Sequence, residues 1–482
     1  MNTNYPAPNP EVLEAQSRIC TGPHQSRPLG KKPDDPQPDR ILHLILESLQ
    51  GNLSPQETVS PIQMGAFFTA MTLRRNFPEK TNWSPAETSA FETFAADLNQ
   101  HLPPELHFLL HPEQIYQAPN KPEQIARNAL QTILNGQHLD YATTLALCQT
   151  ILNTDLNPAL KGAALIGQRM NLETYDEVKA YLDSVFPPDR VQTVNTPSLT
   201  HFGEPYNGST RYFRPTLFIA AIRAAQGKPT VLHGTDLMPP KSGITEEQIL
   251  QHLGAQTHLS LERAAHCLEH PDIGFAYLSQ QTFSPGAYAA RELRVHIAKR
   301  PPWSATEKAQ RFFTCPGTNH MVIGYYHSGY EDKFLRIMEE YKLTSGIVVK
   351  GEEGTSHFSL RLGKPSDAER KAINYAQGFR QNGQGKTYFS QDVDPAAFGY
   401  TYNQNPRLPE ITPQSFAEAG LAALSGQKGP VYDRLILNTA LTDHLLGLEP
   451  DPDTALQLAQ EAIVSGRALN RLQTYIRATN QK

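Results

Sequence analysis

The sequence predicts an α/β protein with an all-α amino-terminal domain and a mixed, mostly parallel sheet flanked by helices. Two observations carry this. From Ile41 to about Pro188, apolar residues recur at spacings of three and four, and Pro or Asn punctuates them, which is the period of consecutive amphipathic helices. After Arg190 the texture changes. Short runs rich in β-formers (VQTV, TVLHG, IGFAYLS, HMVIGYY, SGIVVKG, HFSLRLG) alternate with helical stretches such as EEQILQHLGA and YEDKFLRIMEEYK. That alternation is the pattern of a sheet covered by helices. At 482 residues, one large domain with a helical companion fits better than a single core.

Three segments follow along the chain. Residues 1–40 are rich in Pro, Asn, Gln and charge, so they are expected to form a disordered tail. Residues 41–190 form the helical domain, starting with ILHLILESLQ, which Gly51 stops. Within it lies a degenerate repeat, 41–80 and 127–188. Leu49-Gln-Gly-Asn-Leu53 followed by Met64-Gly-Ala-Phe-Phe68 echoes Leu134-Asn-Gly-Gln-His-Leu139 followed by Lys161-Gly-Ala-Ala-Leu165. Each copy sets a Gly-Ala pair inside an apolar helix, where it permits close packing. Residues 191–482 form the α/β domain.

Bulk composition excludes several classes. Hydrophobic residues make up 39% and charged residues 19%, as in ordinary soluble proteins. The net charge of −5 leaves only a local patch able to attract nucleic acid or an anionic membrane. Four widely spaced cysteines form no Cys-x-x-Cys pair, so they read as isolated buried thiols. Met1 to Arg40 lacks the apolar core of a signal peptide, and no apolar run approaches the roughly 20 residues that span a bilayer. A cytoplasmic protein without membrane contact is expected.

The segment Thr230–Ala255 is the most informative. It reads as a buried strand, a polar loop opened by His233-Gly234, a Lys241-Ser242-Gly243 turn and an amphipathic helix. A loop between the carboxyl end of a strand and a helix is a natural anion site. The segment resembles the His-Gly-Asn and Ser-Gly block of anthranilate phosphoribosyltransferases. The helical stretch KGAALIGQRMNLETYDEV is similar to that family too, with Arg169, Glu173, Thr174, Asp176 and Glu177 in matching places. So are Asn438-Thr-Ala440 and Ala462-Ile-Val-Ser-Gly-Arg-Ala468. The resemblance covers about residues 130 to 476 and implies 5-phosphoribosyl transfer from phosphoribosyl pyrophosphate to an amine or base-like acceptor. It also implies a homodimer paired through the helical domain.

Site residues follow from that resemblance. The family's Gly-Thr-Gly-Gly-Asp loop falls on Gly203-Glu-Pro-Tyr206-Asn207-Gly208, and its Asn-x-Ser-Thr segment ends on Thr216. The Pro-Tyr-Asn-Gly form resembles a divergent branch of the family for which nucleic-acid binding has been proposed. Arg211 and Arg214 add positive charge beside these glycines, suiting an anion. Arg294, followed by Arg300, stands where the family's arginine would hold the acceptor's carboxylate. Ser356 and His357 stand where the family's Asp-Glu pair holds Mg²⁺, and neither supplies the hard anionic oxygen that Mg²⁺ prefers. No metal or other cofactor is therefore expected, and no residue is assigned a catalytic role. The phosphate or substrate set is thus Gly203, Tyr206, Asn207, Gly208, Arg211, Arg214, Thr216, His233, Gly234, Lys241, Ser242, Gly243, Arg294 and Arg300, with loops 203–216, 233–243 and 291–300 forming a common cleft.

A second function stays open from the residues alone. Arg291 to Arg311 carries six basic residues against two acidic ones, with Trp303, Phe312 and Phe313 interleaved. Phosphate neutralisation with base stacking is how proteins hold single-stranded nucleic acid. A non-catalytic binder of nucleic acid or a phosphorylated metabolite would use the same cleft. Gly385-Lys386-Thr387 imitates the end of a phosphate loop, but Arg380 replaces the first glycine, so QNGQGKTYF reads as a mobile loop.

Overall fold

The computed structural model describes residues 7–30, 35–362, 374–382 and 385–481. The chain divides into two units. One takes in the chain up to Val185 together with Ala289–Thr306, and the other Phe186–Tyr288 with the chain from Glu307 onward. Among the described residues no helix is long and apolar enough to cross a membrane. All four cysteines are buried and free.

The first unit is helical and begins earlier than the composition suggests. Pro10–Ile19 is a helix capped by Asn9, and Val12, Ala15 and Ile19 are buried. The Gln16 side chain donates to the Gln63 carbonyl at 2.9 Å, and the Leu29 amide donates to Glu87. The expectation of a disordered tail is therefore corrected for 7–30, and for 35–40, where the helix Gln37–Gln50 begins. An apolar stripe at 12, 15 and 19 is enough to dock one short helix, though Pro-rich flanks dilute its signal. Residues 1–6 and 31–34 of the expected tail lie outside the described residues.

The helices that carry the two Gly-Ala pairs, Pro61–Arg74 and Pro158–Met170, cross at their glycines. A Cβ on Gly65 would fall 1.9 Å from the Ala159 carbonyl oxygen, and one on Gly162 would fall 2.3 Å from that of Ile62. Only hydrogen fits at either place, so the Gly-Ala pairs set the helix separation reciprocally.

The second unit holds a seven-stranded sheet. Its strands are β1 (Ser198–Gly203), β2 (Thr230–Gly234), β3 (Phe275–Ser279), β4 (Thr318–Gly324), β5 (Ser345–Lys350), β6 (Tyr375–Asn382) and β7 (Gly385–Asp392). The spatial order is β3-β2-β1-β4-β5-β6-β7. The first five are parallel, with His201 opposite Val231 and His233 opposite Leu278, while β6 and β7 add on antiparallel. This is the α/β class with a mostly parallel sheet that the alternation predicts. Three strand readings change. HFSLRLG forms no strand; its Arg361 makes only an isolated bridge to Tyr402, and Gly363 lies outside the described residues. β1, in the middle of the sheet, lacks a β-rich run. QNGQGKTYF, of which 383–384 lie outside the described residues, is a two-strand ribbon rather than a loop.

Candidate functional site

β1 and β2 are parallel neighbours, so the loops that follow them leave the same edge of the sheet. The first loop runs from Glu204 to Pro215 and enters the helix Thr216–Ala225. The second runs from Thr235 to Thr245 and enters the helix Glu246–His252, where Thr245 and Gln248 form a capping box. The two loops are tied together. Ser209 and Ile244 exchange backbone hydrogen bonds of 2.9 and 2.8 Å, and the Gly243 amide donates to the Asn207 carbonyl. Gly208 has φ +70°, and a Cβ there would lie 2.2 Å from the Gly243 carbonyl oxygen, so this crossing requires glycine.

Buried charge fixes the first loop from below. The Arg214 guanidinium makes two 2.7 Å bonds to the Glu246 carboxylate and donates to the Pro205 carbonyl. Its Nη2 also lies 3.9 Å from the Glu204 carboxylate. Arg214 thus faces inward onto carboxylates and is not offered to an anion. Glu204 accepts the Ser356 amide at 3.2 Å and the Ser356 hydroxyl. Burial pushes the Glu204 carboxyl upward, against the pull of Arg214 and Ser356. His357 Nε2 lies 2.7 Å from the Thr216 hydroxyl, and burial holds its ring well below the usual imidazole range. Ser356 and His357 are therefore held by Glu204 and Thr216. Asn438, from the helix Pro430–Leu446, closes the third loop by accepting the Phe358 amide at 2.6 Å.

That third loop, after β5, brings Glu353 to the other two. Its carboxylate accepts the amides of Thr210, Arg211 and Tyr212 at 3.1, 3.2 and 3.3 Å, and the Thr210 hydroxyl at 3.1 Å. Lys241 Nζ lies 2.6 Å away and Arg211 Nε 3.8 Å away. Lys241 also donates to the Gly208 carbonyl. The Glu353 side chain is 2% exposed. Burial would raise its pKa, but Lys241 and the Thr210 amide outweigh burial and hold it below the ordinary value. Successive amides turned on one anion form a nest, a concavity built for oxyanions.

His233 lies on β2 with Nδ1 2.6 Å from the Tyr206 hydroxyl and its ring edge-on to Phe312. Burial lowers its pKa to about 3, so the ring is neutral at pH 7, and its Nε2 has no hydrogen-bond partner among the described residues. Gly203 and Gly234 close their strands, and Ser242 is exposed with φ +48°.

The structure thus brings Arg211 and Lys241 to the Glu353 carboxylate, packs Gly208 against Gly243, joins Thr216 to His357 and joins Tyr206 to His233. Arg294 and Arg300 belong to the helical unit. Arg294 is buried and donates to Ser304, while the Arg300 carbonyl accepts from Arg169. The aromatic residues read as base-stacking platforms are corrected: Trp303, Phe312 and Phe313 are all buried. Lys299 donates to the Ser17 carbonyl and Arg311 to that of Tyr341. Glu204, Glu246 and Glu353 are missing from the sequence-derived set. Their partners lie up to 152 positions away, and only the left-handed turn at Gly351-Glu-Glu-Gly354 hints at a special role for Glu353.

No family model matches the chain. Among curated proteins it is similar to the anthranilate phosphoribosyltransferase of Verminephrobacter eiseniae, 25% identical over 364 residues, covering 74% of this chain and 98% of that enzyme. That of Chromobacterium violaceum is also 25% identical, covering 72% and 96%. In sequence the chain resembles the anthranilate phosphoribosyltransferases. The fold agrees. The anthranilate phosphoribosyltransferase of Thermus thermophilus superposes with a TM-score of 0.57 at 17% identity, over 73% of this chain and 99% of its own. That of Saccharomyces cerevisiae, in complex with PRPP and Mg, superposes with a TM-score of 0.57 at 16% identity, over 74% and 98%. About a quarter of the present chain therefore lies outside what it shares with these enzymes.

Proposed function

We propose that the loops after β1, β2 and β5 bind the diphosphate of a phosphoribosyl pyrophosphate-like donor, and that the chain transfers the 5-phosphoribosyl group to an amine or base-like acceptor. The observation that carries this is the convergence of the Thr210, Arg211 and Tyr212 amides and Lys241 on one anion. The yeast relative whose complex holds PRPP and Mg lends support through its fold.

In the transfer, the bond from the ribose C1 to pyrophosphate breaks and its electron pair leaves with pyrophosphate. The acceptor nitrogen lone pair forms the new C1–N bond, and the nitrogen loses its proton to water. Lys241, Arg211 and the amides would stabilise the charge gathering on the leaving group, since fixed donors need no reorganisation during reaction. The neutral His233 is suited to hydrogen bonding and not to ion pairing. The family's Mg²⁺ does not fit the residues at its carboxylate positions. Ser356 is a neutral hydroxyl already engaged with Glu204, and His357 is a buried neutral ring engaged with Thr216.

The test is pyrophosphate release from the donor in the presence of anthranilate, other aromatic amines and free bases. Release that depends on one acceptor, and falls at least tenfold in Lys241→Ala, is expected. No acceptor-dependent release with any of them would sink the proposal.

A further inference from the structure

The nest at 210–212 already holds an anion, and that anion is part of the chain. We propose that Glu353 is a built-in competitor: its carboxylate occupies the phosphate subsite formed by the Thr210–Tyr212 amides, Lys241 and Arg211, and a ligand phosphate binds there only by displacing it. This rests on reading the nest as a phosphate subsite, but not on the transfer reaction.

Four features of the structure support the exchange. The donor set is far larger than one structural carboxylate needs: three successive amides, a hydroxyl, an ammonium and a nearby guanidinium. Such a set matches the several oxygens of a phosphate group. Glu353 reaches it with φ +57°, a left-handed conformation that non-glycine residues hold only when their surroundings enforce it. The rim of the nest is reached by solvent at Arg211, whose side chain is half exposed, while the Glu353 carboxylate beneath it is buried. Charge also favours the exchange. Lys241 and Arg211 both approach the single Glu353 carboxylate, and a multiply charged phosphate attracts such cations more strongly than one carboxylate does.

The glutamate also explains why the subsite does not simply stay filled. With the carboxylate in place, any anion approaching Lys241 meets a like charge at contact distance. Affinity for phosphate is then set by a difference between two occupants and not by the nest alone. Only ligands carrying enough charge, such as a pyrophosphate ester, would displace it. A single carboxylate would compete on nearly equal terms with the resident one.

The test is calorimetric titration of the full chain with inorganic pyrophosphate at fixed ionic strength. Glu353→Gln keeps the shape and removes the charge, so it should bind pyrophosphate at least tenfold more tightly than the wild type. Lys241→Ala in the Glu353→Gln background should abolish that gain. Glu353→Asp, whose carboxylate is withdrawn by one methylene, should fall between wild type and Gln, and it serves if the Gln variant does not fold. Unchanged or weaker binding in a folded Glu353→Gln protein overturns the proposal. So does a gain that survives Lys241→Ala, because the ligand would then bind elsewhere. The two proposals fail separately. Tight binding by Glu353→Gln without phosphoribosyl transfer by any form leaves the competitor standing and removes the enzyme. Transfer by the wild type with no gain in Glu353→Gln does the reverse.

Discussion

Replacing Arg214 by alanine should destabilise the sheet unit far more than loss of a surface ion pair. The Arg214 side chain is 1% exposed, and its partners Glu246 and Glu204 are 5% and 3% exposed. Truncation would leave two carboxylates in the interior without their guanidinium, along with the Pro205 carbonyl. Breaking one partner of a buried pair typically costs about 3–5 kcal/mol, whereas exposed pairs are worth about 0–1 kcal/mol. Against a total stability of order 5–15 kcal/mol, the variant would be close to unfolding at 37 °C. Urea denaturation followed by circular dichroism gives the change directly. Arg214→Met combined with Glu246→Leu should recover much of the loss, because no lone charge remains against that helix. A loss below about 1 kcal/mol for Arg214→Ala would show that the pair is hydrated, and the account of a braced loop would fail.

Other outcomes follow from the same geometry. Gly65→Ala gains about 1 kcal/mol of helix propensity, but its methyl would meet the Ala159 carbonyl, so a net loss of about 2 kcal/mol is expected in a thermal melt. His233, lowered from 6.5 to about 3 by burial, contributes stability in full above pH 6.5 and loses it as the pH falls toward 3. His233→Phe should therefore flatten the acid slope of stability by about 1.4 kcal/mol per pH unit between 6 and 4, and an unchanged slope would place a proton on the native ring. Light scattering is expected to give a homodimer, as the family resemblance implies, and a mass of 53.6 kDa would contradict it.

Much of the fold was legible because periodicity reports on burial. β2, β3, β4 and β5 are apolar runs buried on both faces, and Gly51 ends its helix with φ +74°, as its position suggests. β1 was not, because Thr200 and His201 interrupt its apolar run although both are buried in the structure. β7 is mostly exposed, so burial left no pattern in it. The helix Pro10–Ile19 was hidden by averaging composition over 40 residues. At the site, the glycines and Lys241 were legible because a loop needs them locally. The inward turn of Arg214 was not, since its partner Glu246 lies 32 positions on and nothing local distinguishes a guanidinium meant for a carboxylate from one meant for a ligand. The Arg291–Phe313 stretch misled for a related reason: sequence shows that aromatics are present, not that they are buried.

The central claim is that the loop cluster binds a diphosphate ester through Lys241, Arg211 and backbone amides, without a carboxylate-held metal. Titration calorimetry of the full chain with phosphoribosyl pyrophosphate, with and without Mg²⁺, measures this most directly. Binding that is lost in Lys241→Ala and changes less than tenfold with Mg²⁺, about 1.4 kcal/mol, is the predicted result. Binding that requires Mg²⁺, or that Lys241→Ala leaves intact, would contradict it.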